Sequence, residues 1–277
     1  MAENRASADA EGVPCWVDAQ LPDVAAGRRF YGGLFGWAFD APAGPSGAVL
    51  ARLGGEPVAA LVPKTDGRMP TVWTVYFATA DAGALAARIE ARGGQLVTAP
   101  HPAADLGAHP APDPGADPAA HPGADPAEHP GAHPAAHPTP PPALTALAAD
   151  PQGAVFGLRE PGAAGFGGRR VPGGFAWAEL YTRDTEAADA FYGDLFHAAL
   201  FGPGAAPDFG RAAVTEVFPA EMPPHFLVHF RVADRAAALE RVARLGGRVQ
   251  APPFEASYGR VAVVTDDQGA SFALLER

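Results

Sequence analysis

Residues 16–37 read WVDAQLPDVAAGRRFYGGLFGW, and residues 177–198 read WAELYTRDTEAADAFYGDLFHA. The second stretch repeats the first at one constant offset, with no gap. Trp16 matches Trp177, Asp18 matches Glu179 and Asp23 matches Asp184. Phe30-Tyr31 match Phe191-Tyr192, and Leu34-Phe35 match Leu195-Phe196. A repeat of this length makes the chain two copies of one fold.

The local pattern gives the unit. Trp16, Asp18 and Gln20 alternate with Cys15, Val17 and Ala19, so the two sets face opposite sides of a strand. Pro22-Asp23 ends that strand, and Asp23 is placed to cap a helix. In the helix, Val24, Phe30-Tyr31 and Leu34-Phe35 recur at three- and four-residue spacing as one apolar stripe. Gly36 stops it. Short strands are expected near 37–40, 47–53 and 57–63, between Gly/Pro turns. The result is a β-α-β-β-β unit.

A second unit follows. TVWTVYFAT (71–79) is a strand by its β-branched and aromatic content. Asp81 caps AGALAARIEAR, which ends at Gly93-Gly94. Gln95–Thr98, 144–149 and 154–159 supply strands, the last two joined by the turn Asp150-Pro151-Gln152-Gly153.

The second half repeats this plan. MPTVWTVYFATADAGALAARIEARGG (69–94) matches MPPHFLVHFRVADRAAALERVARLGG (222–247), and DPQGAVFGLRE (150–160) matches DDQGASFALLE (266–276). The changes in offset place a shortening between Ala198 and Met222, where a hairpin strand is expected to be reduced or lost. They also place an insertion after Pro100 in the first half. There a proline falls at every fourth position from Pro114 to Pro138, each preceded by Asp or His. Proline at that density forbids helix and central strand. Residues 101–142 are read as a flexible, partly polyproline-II excursion. It holds six of the nine histidines. Weak metal binding by a His-rich tract is one reading. A drifting repeat in a tolerant surface loop is the preferred one, because convergence of those histidines on one ion carries an entropic cost.

Composition narrows the classes. The chain has 277 residues and a formal net charge of -11. That length accommodates two cores, and the charge argues against a nucleic-acid partner. No apolar run approaches the roughly 20 residues of a membrane span, and the polar start carries no signal-peptide core. Cys15 is the only cysteine, so no intrachain disulfide forms and a reducing compartment is permitted. The expected location is the cytoplasm.

The order of units, the FYxxLFGW helix and the strand–helix–GG element resemble the vicinal oxygen chelate superfamily of glyoxalase I, extradiol dioxygenases and bleomycin-resistance proteins. The resemblance is to its tandem two-domain, actinobacterial type. It implies an α+β fold of two tandem domains, each of paired β-α-β-β-β units whose curved mixed sheet wraps a cavity. The expected organisation is a disordered tail at 1–12, a domain at 13–160 with the disordered 101–142 insertion, a linker at 161–173 and a domain at 174–277.

Enzymes of this superfamily hold a divalent metal with His, Gln or Glu. Counted onto this chain, one ligand position falls on Trp16 and Trp177, another on Thr74 and Leu227, and a third on Gly157 and Ala273. A fourth is hard to align, with Glu56 or Glu216 near it. Indole, Leu and Ala offer a metal nothing, so no cofactor is predicted.

With Trp16 facing the first cavity, Asp18, Gln20, Thr74 and Tyr76 share its face. In the second cavity the set is Trp177, Glu179, Tyr181, Leu227 and His229, with His225 at the same parity. Aromatic walls with a few polar groups suit a small organic ligand, flat or cationic. Asp18 and Glu179 read as ligand anchors or general bases, or as structural carboxylates. Glu179 and His229 are the candidate catalytic acid–base pair. Cys15 has the opposite parity from Trp16. Arg260, whose counterpart is Leu144, is a weaker candidate for anion contact.

The sequence therefore points to a metal-independent protein that binds a small organic molecule, as a monomer of two paired domains or a homodimer, with no nucleic-acid or membrane partner. The alternative is a metal-dependent or acid–base lyase, isomerase or dioxygenase of the same fold. In a third reading, one domain serves only as a scaffold.

Overall fold

A computed structural model describes residues 11–103 and 143–277, apart from positions 43, 45, 66, 68, 69, 163, 164, 204, 206 and 207. Four units follow one another. The first is β1 (Pro14–Leu21), α1 (Val24–Phe35), β2 (Ala38–Phe39), β3 (Val49–Leu53) and β4 (Glu56–Pro63). The second is β5 (Val72–Ala78), α2 (Ala82–Ala91), β6 (Gln95–Pro102), β7 (Leu144–Ala149) and β8 (Val155–Arg159). The third is β9 (Phe175–Thr182), α3 (Thr185–Leu200) and β10 (Phe209–Ala213), followed by the 3₁₀ turn Val214–Glu216. The fourth is β11 (His225–Val232), α4 (Arg235–Arg244), β12 (Arg248–Ala256), β13 (Gly259–Thr265) and β14 (Ser271–Glu276). The shortening before Met222 thus removes a hairpin, leaving the third unit with two strands where the first has four.

Each helix begins at the aspartate the sequence marks. Asp23, Asp81 and Asp234 accept from the backbone N–H three residues on, and Asp184 from those of Glu186 and Ala187. Such a cap contributes about 1 kcal/mol. Gly36 closes α1 in the left-handed region, at φ 74°, where glycine carries no Cβ penalty.

In the first half the strand order is β2-β3-β4-β1-β5-β8-β7-β6, and in the second β10-β9-β11-β14-β13-β12. One bridge, Ser271 to Val72, joins the two sheets. Each sheet turns one face to a core shared by both halves. Trp73 meets Phe230 there at 4.9 Å between ring centroids, and Phe77 stacks on Phe196 at 5.3 Å. The opposite faces carry two separate apolar clusters, here called the two cups, with Trp16, Ala48, Leu50, Ala60 and Tyr76 in one and Tyr181, Leu227, Val263 and Ala273 in the other.

The repeated motifs also meet across the halves. Tyr31 of the first FY pair donates to Asp266 Oδ2 of the second half at 2.8 Å, and its hydroxyl accepts from Trp73 Nε1 at 2.9 Å. Tyr192 of the second FY pair donates to Asp150 Oδ2 of the first half at 3.1 Å. Gln268 brackets the backbone of Asp23, accepting from its N–H at 2.8 Å and donating to its carbonyl at 2.9 Å. Gln152 does the same to Asp184, at 2.9 and 2.8 Å. The FY helix and the D-x-Q-G turn are therefore the two sides of a reciprocal interdomain joint.

Two expected boundaries move. Glu11 and Gly12, read with the tail, are held: Gly12 N–H donates to the carbonyl of Ala78 at 2.7 Å, and Glu11 pairs with Arg88 at 3.4 Å. The excursion after Pro100 also begins later than residue 101. Strand β6 continues to Pro102, with His101 opposite Thr145. Prolines are tolerated there because β6 is an edge strand with register shifts. The remainder of the excursion, 104–142, lies outside the described residues. Among the described residues, no helix is long and apolar enough to cross a membrane.

Candidate binding site

Strand pairing sets the rows of each cup. In the first half Trp16 lies opposite Tyr76, and Tyr76 beside Gly157. In the second, Trp177 lies opposite His229, and His229 beside Ala273. The next row pairs Asp18 with Thr74 and Glu179 with Leu227. The expected grouping of side chains on one face is what the register produces. Gln20 stands at the rim, opposite Val72 and only partly buried.

The second cup is built around an aromatic stack. Tyr258, in the turn between β12 and β13, lies on the Trp177 ring at 4.7 Å and 19°. The Arg277 guanidinium sits over the same indole at 5.7 Å. Trp177 Nε1 donates to Glu179 Oε2 at 2.5 Å. Tyr258 also hydrogen-bonds Glu179, and its hydroxyl lies 3.5 Å from His229 Nε2. Glu179 and His229 are thus linked through Tyr258. Gly210 on β10 makes room for the pair, since a Cβ there would lie 2.7 Å from the Trp177 ring and 2.8 Å from Glu179 Oε2. Tyr181 stacks on His225 at 5.6 Å and meets Phe218 edge-on at 4.9 Å.

Burial governs the ionisation of these groups. It raises the pKa of Glu179, with the Trp177 and Tyr258 hydrogen bonds opposing, and raises Tyr181 and Tyr258. It lowers His225 and takes His229 to about 3. His229 is neutral at physiological pH, with Nδ1 placed 3.0 Å from the Leu227 carbonyl as a donor and Nε2 left as acceptor.

The first cup is more closed. Trp16 is fully buried. Arg159 lies over its ring at 5.1 Å and Phe166, from the segment between the halves, stands 5.8 Å away. Tyr76 hydrogen-bonds Asp18, whose pKa burial raises to about 6.

The donor sets do not suit the superfamily metal. Position 157 is filled from across the sheet, because a Cβ on Gly157 would lie 2.0 Å from the Tyr76 ring. Ala273 and Leu227 carry no donor atoms. Glu56 and Glu216 are both exposed, and Glu216 is engaged with the Ala213 N–H at 3.2 Å. Among the described residues, no three His, Cys, Asp or Glu side chains come together. Arg260 is paired with Glu276 at 2.9 Å, which removes it from the cup.

Tyr258, Arg277, Arg159 and Phe166 escape a reading by repeat. The counterpart of Tyr258 in the first half falls inside the insertion, so no duplicated position marks it. Phe166 belongs to the segment assigned to a linker by composition.

His229 and Asp18 set opposite pH dependences. The unfolded chain takes up a proton on His229 near the ordinary 6.5 and the folded chain only near 3. That contribution to stability is present above 6.5 and lost as pH falls. The unfolded chain releases the Asp18 proton near 3.8 and the folded chain near 6. Its contribution is present below 3.8 and lost as pH rises through 6. Each slope reaches about 1.4 kcal/mol per pH unit. Relative to wild type, His229→Gln is expected to gain stability as pH falls from about 6 to about 4.5, and Asp18→Asn to lose it. Urea midpoints across that range check this, and curves parallel to wild type would contradict it.

No family model matches the chain. Curated relatives do. The chain is 32% identical to "Anthracycline biosynthesis protein DauV" of Streptomyces sp. (strain C5), over 96% of this chain and 94% of that one. It is 32% identical to "Putative glyoxylase CFP32" of Mycobacterium bovis, over 96% and 95%. Among solved structures, the Mn(II)-bound glyoxalase from Novosphingobium aromaticivorans superposes with a TM-score of 0.57 at 13% identity, covering 96% of this chain and 82% of that chain. A catechol 2,3-dioxygenase superposes at 0.54 and 12% identity, covering 97% and 94%.

Proposed function

The chain belongs to the vicinal oxygen chelate superfamily in its glyoxalase-like, two-domain form, and from that premise we propose that it binds a flat aromatic small molecule in its second cup, without the superfamily's metal. The observation that carries this reading is the Trp177 indole, stacked by Tyr258 and approached by the Arg277 guanidinium, with Glu179 at its edge. A planar ligand takes the place of Tyr258, which is half-buried on a hairpin turn, and stacks on the same indole. Glu179, released from Tyr258, then anchors a polar group of the ligand. Relatives named for anthracycline biosynthesis agree with a fused-ring aromatic ligand.

Quinizarin, a dihydroxyanthraquinone, is the probe. Trp177→Ala is expected to weaken its binding about 30-fold, or about 2 kcal/mol, and Glu179→Gln about tenfold, as measured by calorimetric titration. Unchanged affinity in Trp177→Ala would remove the second cup as the site. Stoichiometric Mn, Fe, Ni or Zn in chelator-treated protein, retained after deletion of the 104–142 segment, would overturn the metal-free part.

A second reading rests on the Tyr258 hydroxyl between Glu179 and His229. That chain of groups can move a proton, as an acid–base lyase or isomerase at the same cup requires. Glu179→Gln would then abolish turnover of a substrate while leaving Trp177-dependent binding in place.

A further inference from the structure

Tyr258 covers the second cup with its side chain, while its backbone is held by a residue from another strand. The ring lies on Trp177, the hydroxyl hydrogen-bonds Glu179, and the His229 imidazole meets the ring edge-on at 5.8 Å. The Tyr258 carbonyl accepts from Arg277 Nε. The same guanidinium lies over the Trp177 indole. Arg277 therefore touches both the turn that carries Tyr258 and the surface that Tyr258 covers.

The two sides of that turn are held to different degrees. On one side β13 is fixed to β14, with Arg260 opposite Glu276 and ion-paired to it at 2.9 Å. On the other side β12 is an edge strand, paired with β13 alone. Its register slips twice, between Val249 and Ala251 and between Ala251 and Phe254, and Pro252-Pro253 fall in the second gap. Proline donates nothing to a ladder, and a bulge leaves residues unpaired. Gly259 joins the two sides at φ 141°, where L side chains are strained. A Cβ there would also lie 2.8 Å from the Glu276 carbonyl oxygen. The chain can turn at Gly259 and in the Pro252-Pro253 bulge while β13 stays in place. Arg277 directly follows β14, so its side chain reaches from the fixed strand to the movable turn.

We propose that the β12–β13 turn is a gate on the second cup, with Tyr258 as its plug and Arg277 as the latch that holds it shut. The proposal rests on the reading of that cup as the binding site. The latch bond is made to the backbone, so it restrains the turn whichever way the Tyr258 ring points. Loss of one such hydrogen bond shifts the equilibrium between shut and open by about tenfold. Arg277 is thus a positioning residue: it acts on access to Trp177 and Glu179 through Tyr258, and sets how fast a ligand enters.

Acrylamide quenching of tryptophan fluorescence reads the gate without any ligand. Of the four tryptophans, Trp16, Trp37 and Trp73 are at most 4% exposed, so a gain in quenching reports Trp177. Arg277→Ala is expected to raise quenching to near the level of Tyr258→Ala, in which the plug is gone. The double variant, Arg277→Ala with Tyr258→Ala, should be quenched no more than Tyr258→Ala alone, because the latch has nothing left to hold. Arg277→Met keeps an apolar stem without the donor, and carries the test if Arg277→Ala does not fold by circular dichroism. In stopped-flow mixing with quinizarin, association is expected to be about tenfold faster in Arg277→Ala than in wild type. Quenching equal to wild type in both Arg277 variants overturns the proposal. So does a further gain in the double variant, or an unchanged association rate in a variant whose Trp177 is exposed. If quinizarin fails to bind at Trp177, the reading of the second cup falls, and the quenching result still decides the gate.

Discussion

Glu at position 157 is expected to destabilise the protein by at least about 4 kcal/mol and to bring no metal with it. This is the residue the superfamily pattern would place there, yet the site is already filled. A Cβ on Gly157 would stand 2.0 Å from Tyr76 Cδ1 and 2.3 Å from Cε1. The ring has nowhere to swing, being buried on β5 and tied to Asp18. The new carboxylate would also lie under the aromatic lining of the first cup, without water. Chemical denaturation of Gly157→Glu measures the loss, and equilibrium dialysis against Mn(II) or Zn(II) measures the metal. Gly157→Glu combined with Tyr76→Ala should regain part of the stability. A single variant as stable as wild type would show that the cup is not packed as described.

The second large effect lies at the joint between the halves. Asp266→Ala is expected to cost about 4 kcal/mol, because three donors lose their acceptor together. These are the Tyr31 hydroxyl at 2.8 Å, the Gln268 N–H at 2.9 Å and the Ala270 N–H at 2.8 Å. Asp150→Ala should behave alike, since Asp150 accepts from Tyr192, Gln152 and Ala154. Tyr31→Phe removes only one of the partners and should cost about 1.5 kcal/mol. Asp267→Ala, at an exposed neighbour, is the control and should change little. If Asp266→Ala matched that control in urea denaturation, the joint would carry no stability of its own.

Most of the fold was legible in the sequence because it is written twice. Periodicity placed the strand from Trp16, the Asp23 cap and the Gly36 stop, and repetition carried each to the second half. The offsets alone placed the shortening of the third unit, although they pointed to one reduced or lost strand where the structure loses two. Alternation placed Trp16, Asp18, Thr74 and Tyr76 on one face, since one register fixes a whole strand. What alternation does not show is the neighbour across the sheet. That Tyr76 fills the space beside Gly157 is a distance between strands. The partners of Tyr31 and Tyr192 were hidden for a related reason. The FY pair reads as an apolar stripe, and a hydroxyl aimed at the other half leaves no periodic trace. Tyr258 has no duplicate to mark it, and Phe166 sits where composition suggests a tether.

The bracket of Gln268 around Asp23 also orders events during synthesis. The residue that opens α1 waits 245 positions for its partner, whereas Gln152 and Asp184 are 32 apart. The inner clasp can close while the ribosome is still adding the fourth unit. The outer clasp closes only after β13 has been made, so α1 leaves the exit tunnel with its final neighbours unmade. Contacts of such sequence separation form slowly, and the incomplete first half exposes an aromatic surface meant for the second. Truncation before β14 should therefore yield a chain that chaperones retain, although every residue of the first half is present.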